Sequence, residues 1–214
     1  MKKIVLPPEL LKKLQEIYRK LEEEYDRVAG ELVFSCRDCP DNCCDSYFLH
    51  HTYVEWAYLW MGLQKLEPES LAEIEMKAGE YIRCCAEAEA RGERPQVMCP
   101  LNREGLCILY EHRMLVCRTH GVPARIRRPD GRVLHFPGCF HCQNIVEKID
   151  TKTGDLSVDR TPMLHRLAQL EGELLDRRRH LLPKVKLTIA QMIIKGPPTI
   201  PSLFCERKNP AKSG

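Results

Sequence analysis

CRDCPDNCC, residues 36–44, packs four thiols into nine positions. Adjacent cysteines such as Cys43 and Cys44 are rare in ordinary cores, so the stretch serves some chemistry: a disulfide framework, a metal site, a redox pair or a catalytic thiol. The cellular compartment separates these readings. The chain opens MKKIVLPPELL, with only a short apolar patch before Pro7 and Pro8. A secretory signal needs an apolar region of about 7–15 residues, so no export signal is expected. No run approaches the ~18 apolar residues of a membrane span. A cytoplasmic protein with no membrane partner is therefore expected. In a reducing cytosol, clustered cysteines bind metal or do catalysis more often than they form disulfides.

The chain holds 12 cysteines in 214 residues. Cys85 falls on the apolar stripe of a predicted helix, where a cysteine behaves as a small hydrophobe. Cys84 is its neighbour on another face, and Cys205 stands alone in the tail. The remaining candidates for metal ligation form three groups: Cys36, Cys39, Cys43 and Cys44; Cys99, Cys107 and Cys117; and Cys139 with Cys142. A C-x-x-C step turns two thiolates toward one ion from a tight loop, so Cys36/Cys39 and Cys139/Cys142 are natural half-sites. Two half-sites distant in sequence can close one tetrahedral centre. Cys43 and Cys44 project in different directions, so they serve different centres, or one ligates while the other packs. A four-thiolate site, whether zinc or a 4Fe-4S iron–sulfur cluster, uses about four cysteines, so these candidates suffice for two centres.

These residues resemble a known family. C-x-x-C-x-x-x-C-C at 36–44, C-P-L at 99–101, G-x-C-I-x-Y-E-x-R at 105–113 and C-R at 117–118 together look like the YkgJ-type CxxCxxCC cysteine-cluster proteins, described as zinc- or iron-chelating. The resemblance runs from Cys36 to about Cys142. Two departures stand out: the family spaces the third cysteine by two residues where Pro40-Asp41-Asn42 makes three, and Met114 follows Arg113 where the family has proline. The resemblance implies metal binding more firmly than any reaction. One relative, the flagellin lysine methyltransferase, is described as pairing an iron–sulfur cluster with S-adenosylmethionine chemistry. No glycine-rich nucleotide loop after a strand supports that activity here.

Around the cysteines the pattern is helical. Pro7 to Ala29 carries Leu10, Leu14, Ile17, Leu21 and Val28 on one stripe. Val54 to Leu66 reads as an aromatic, buried helix, Pro68 to Ala90 as a second long helix, and Pro162 to Leu182 as a third stopped by Pro183. One short helix is expected around Tyr110 to Cys117. ARIRRPDGRVLHF reads as a hairpin turning at Pro129-Asp130-Gly131, and IVEKIDTKTGDLSV as another turning near Thr153-Gly154. The expected fold is mainly α with small β-hairpins: one domain over 1–214, a helical shell around a cysteine-rich metal-binding middle at 36–142, and an extended arm at 196–214.

A net charge of +3 gives no strong nucleic-acid signal. His50, His51, His120, His135 and His141 lie near the cysteines in sequence and read as supporting or surface groups rather than ligands. Arg113 and Arg118 read equally as offsetting thiolate charge or as surface ion pairs. No catalytic residue is identified: neither a Ser/His/Asp set nor an HExxH-type motif appears. Three functions compete. One is an iron–sulfur protein with a redox or electron-transfer role. A second is a structural zinc protein that presents a binding surface to a protein partner. The third is a metal-dependent enzyme such as a methyltransferase or oxidoreductase.

Overall fold

Prolines start the long helices, since the first turn has no use for the missing N–H. The computed structural model describes residues 2–36, 43–148 and 156–200. Cys39, Cys205 and the Thr153-Gly154 turn lie outside the described residues, as does the side chain of Cys43. Strand β1 (Lys2–Lys3) leads into α1 (Pro8–Glu31), then α2 (Tyr53–Leu63) and α3 (Pro68–Ala90). The middle contains β2 (Asn102–Arg103), β3 (Leu106–Cys107), α4 (Leu115–Thr119), β4 (Ala124–Arg127), β5 (Val133–Phe136) and α5 (Phe140–Val146). The chain continues through β6 (Val158–Asp159), α6 (Thr161–Leu174), α7 (Ile189–Ile194) and β7 (Thr199–Ile200). The protein is mainly α, with small sheets.

The predicted stripe of α1 is buried, Leu14 and Val28 completely. α1 packs on α4 and α6, and α3 packs on α7. α2 is buried on nearly every face, as its aromatic composition requires. Its N-terminus is held by Thr52 Oγ1, which accepts from Glu55 N, and by Glu171 Oε2, which accepts from Val54 N. Both indole N–H groups of α2 donate to the carbonyl of Met192 on α7, and that of Trp56 also reaches Gly196 O. β7 pairs with β1, so the start of the C-terminal arm is tied to the start of the chain.

Three sequence expectations are corrected. Ile145 and Val146 belong to helix α5, and Val158–Asp159 pair parallel with β4, so the described ends of IVEKIDTKTGDLSV do not pair as a hairpin. The helix from Pro162 ends at Leu174 rather than Leu182: Asp176 and Arg177 take positive φ, and Arg177 N turns back to Gly172 O. The segment 110–117 is a 3-10 turn (Tyr110–His112) and a separate α4, because Arg113 is extended and its carbonyl is claimed by Arg118. The PDG hairpin is present as β4–β5, with Gly131 at φ +84°.

Candidate metal centre

Each cysteine-bearing segment is held by its own device. α1 ends at Glu31, and just beyond it Val33 adopts φ +51° while Phe34 N bonds back to Ala29 O at 2.8 Å. That left-handed residue turns the chain so that Phe34 is buried while Cys36 emerges, its Sγ 3.7 Å from Tyr25 Oη. The Cys43–Asp45 turn follows, and Cys44 O accepts from Cys99 N at 3.0 Å. Cys99 O in turn accepts from Asn102 N at 2.9 Å. Residues 102–107 form a tight hairpin that the sequence reading missed; Glu104 and Gly105 both take positive φ, the twist that two-residue hairpins favour. Asn102 Oδ1 accepts from Gly105 N, and Asn102 faces Cys107 across the ladder. The Glu-Gly pair was the available signal.

Cys117 sits on a helix of only five residues, too short to stand alone. Two buried charges fix it. Glu55 of α2 accepts from Leu115 N at 2.8 Å, supplying the N-terminal cap, and also binds Thr52 and Tyr18. Burial pushes the Glu55 carboxyl pKa up, against those hydrogen bonds. Arg118 donates to the carbonyls of Arg113 and Glu111, pairs with Glu22, and lies 4.4 Å from the Tyr18 ring centre. It is therefore a buried clamp rather than a surface ion pair.

Cys139 depends on two glycines. Its N–H donates to Gly121 O at 2.9 Å, and a Cβ on Gly138 would stand 2.6 Å from that same oxygen. A Cβ on Gly121 would stand 2.7 Å from Tyr25 Oη. Only glycine lets these backbones approach, and both residues adopt positive φ. Cys139 Sγ then accepts from Cys142 N at 3.5 Å, capping α5. An N–H aimed at sulfur favours the thiolate, which is the ligating form.

Cys36, Cys44, Cys99, Cys107, Cys117 and Cys139 line one cavity of about 970 Å³; Cys142 is buried beside it. Burial raises the Cys117 pKa to about 12, with Cys107 and Cys44 adding to the rise and Arg113 opposing it. Burial also raises Cys99 and Cys107, with nearby thiols contributing in both. Arg113 and Arg118 pull Cys107 back down, so these arginines do bear on the thiols. Burial, then Cys139 and Cys36, raise Cys142 to about 11. Among the described residues no three Cys, His, Asp or Glu side chains close on a common point as a metal site. The thiols surround a space instead.

Cys84 lies on the outer side of α3, donating to Glu80, and Cys85 is buried against Tyr81. Of the histidines, His51 and His135 are exposed. His141 is exposed and lies against Phe34. His120 lines the cavity near Ser46 and Phe48, with its pKa lowered by burial to about 4. His50 is buried with neither ring nitrogen hydrogen-bonded. Tyr25, Glu55, Gly121 and Gly138 were not singled out from the sequence, since nothing local distinguishes them.

No family model matches the chain, and no curated protein or solved structure matches it at a significant level. Among the described residues, no helix is long and apolar enough to cross a membrane.

Proposed function

We propose that this is a thiolate metal-binding protein of the cysteine-cluster type its motifs resemble, holding iron–sulfur chemistry in the cavity and serving a redox or electron-transfer role. The observation that carries this reading is the convergence of six candidate thiols, from segments distant in the chain, on one cavity. Buried thiols whose pKa values are raised are poor nucleophiles, which speaks against a catalytic store of thiolate. Ligation by a cation reverses that balance and draws the protons off.

An iron–sulfur cluster bound here supplies one-electron chemistry whose potential depends on charge, hydrogen bonds to sulfur and solvent access. The chain's own residues set those variables. Arg113 and Arg118 place positive charge near Cys107. The Cys142 N–H reaches Cys139 Sγ, and Tyr25 Oη lies beside Cys36 Sγ.

Purification without oxygen, followed by metal and sulfide analysis and a visible spectrum, tests the proposal. Iron with acid-labile sulfide and an absorption that bleaches on reduction is expected. Colourless protein containing zinc would replace the redox role with a structural one, and protein free of metal would remove both. Chelation should loosen residues 36–142 in near-UV circular dichroism and protease resistance while sparing most helical signal, since ligation supplies folding energy where packing is thin.

A further inference from the structure

β5 is an outer strand of the sheet ordered β5-β4-β6, and the hydrogen bonds fix which of its backbone groups face outward. Arg128 N donates to Arg132 O at 2.8 Å, in register with the β4–β5 ladder. Bonded and non-bonded pairs alternate in an antiparallel ladder, so Ile126–Leu134 and Ala124–Phe136 are the bonded pairs. β4 agrees, since its intervening residues bond to the other side: Arg127 N donates to Thr161 Oγ1, and Arg125 O accepts from Arg160 N. On β5 the intervening residues are Val133 and His135. Their N–H and C=O groups point away from β4, and among the described residues no strand pairs with them. Soluble proteins shield such an edge with proline, a bulge or a charge within the strand. β5 instead exposes Leu134, His135 and Phe136.

Strand side chains alternate, so the two faces of this edge differ. One carries Ile126, Leu134 and Phe136, and the other Arg125, Arg127, Val133 and His135. Arg125 is paired with Asp159, but no described carboxylate pairs with Arg127. At the turn, Arg128 and Arg132 share the carboxylate of Asp130 at 3.3 and 3.6 Å.

We infer that β5 is a docking edge for an extended segment of a partner protein in which acidic and apolar residues alternate. The segment adds as a further strand, with its backbone bonded to Val133 and His135. Its apolar side chains lie beside Leu134 and Phe136, and its carboxylates beside Arg127 and the turn arginines. A nucleic acid matches the arginines but uses neither the backbone edge nor the apolar face. A second copy of β5 brings arginine against arginine, which is repulsive. The inference is independent of what the cavity holds.

Fluorescence anisotropy with the full chain and a labelled peptide of about eight residues, alternating glutamate and valine, tests it. Saturable binding that weakens with salt is expected. Proline at an outward position removes a donor without touching the bonds to β4. His135→Pro should therefore bind at least about tenfold more weakly than His135→Ala, which keeps the N–H and controls for the ring. Arg127→Glu should weaken binding by about the same factor. If His135→Pro does not fold, the same peptide N-methylated along its backbone takes its place and should not bind. Absence of saturable binding overturns the docking edge. So does equal binding of a peptide with lysine in place of glutamate, or equal binding by folded His135→Pro and His135→Ala. Single-stranded RNA bound where the peptide is not would make this a nucleic-acid surface. Self-association that the peptide does not displace would give the edge to a second copy, and either result replaces the proposal.

Discussion

In α1, Leu10, Leu14, Ile17, Tyr18 and Leu21 turn one apolar face to the core; between Cys99 and Cys142, the buried groups include Arg118, Thr119 and backbones in contact through Gly121 and Gly138. The long helices are held by area removed from water, which tolerates local adjustment. The middle is held by a few specific contacts, each with a direction and a distance. Its apolar residues, among them Leu101, Leu109, Met114 and Val122, join the same core as the helices, but they are too sparse to order the loops alone. Damage to the helices should therefore scale with volume removed, and damage to the middle with geometry.

The largest effect is expected in the helices. Leu14→Ala, at a fully buried position, should cost about 2–5 kcal/mol in denaturant unfolding. A loss under 1 kcal/mol would show that α1 contributes less to the core than its burial indicates.

His50 offers a pH test where the cysteine-rich stretch joins α2. Burial lowers its pKa from 6.5 to about 3, with His51 adding a little. Between those values the unfolded chain binds the proton and the folded chain does not. Stability from this group is therefore complete above about pH 6.5 and falls as pH drops toward 3. By pH 5 the loss is about 2 kcal/mol. Wild type should lose roughly that amount of unfolding free energy relative to His50→Leu between pH 7.5 and 5. A constant difference would mean that His50 takes up its proton as readily in the fold as in the unfolded chain.

The sharpest contrast comes from one substitution made in both regions. Gly138→Ala drives a Cβ against backbone and should cost about 1–3 kcal/mol, with the Cys139 loop losing protease protection first. Gly79→Ala on α3 meets nothing within 4 Å and should gain about 0.5–1 kcal/mol. Equal effects from the two would erase the distinction between the regions.

The helices were legible because their periodicity is local: the expected helix from Pro68 to Ala90 is α3 at its observed ends, with Ile74, Ala78, Tyr81, Cys85 and Ala88 buried on one face. The PDG hairpin was legible for the same reason. The Pro162 helix was overextended because the positive φ of Asp176 and Arg177 leaves no compositional mark as glycine would. The IVEK segment shows the limit of reading short apolar runs, which suit a helix or a strand equally.

By itself, the sequence determined the mainly helical class, the long helices at Pro8–Glu31 and Pro68–Ala90, and the placing of Cys84 and Cys85 on a long helix. These follow from hydrophobic period and turn chemistry, which act over a few residues. Only the tertiary structure decided which loop thiols are neighbours. The hydrogen bond from Cys99 N to Cys44 O, the nearness of Cys36 to Cys142, and the capping of Cys117's helix by Glu55 across 60 residues all depend on long-range closure. Loop thiols carry no periodicity of their own, so their grouping waits on the helices, the paired glycines and the buried charges that bring their loops together.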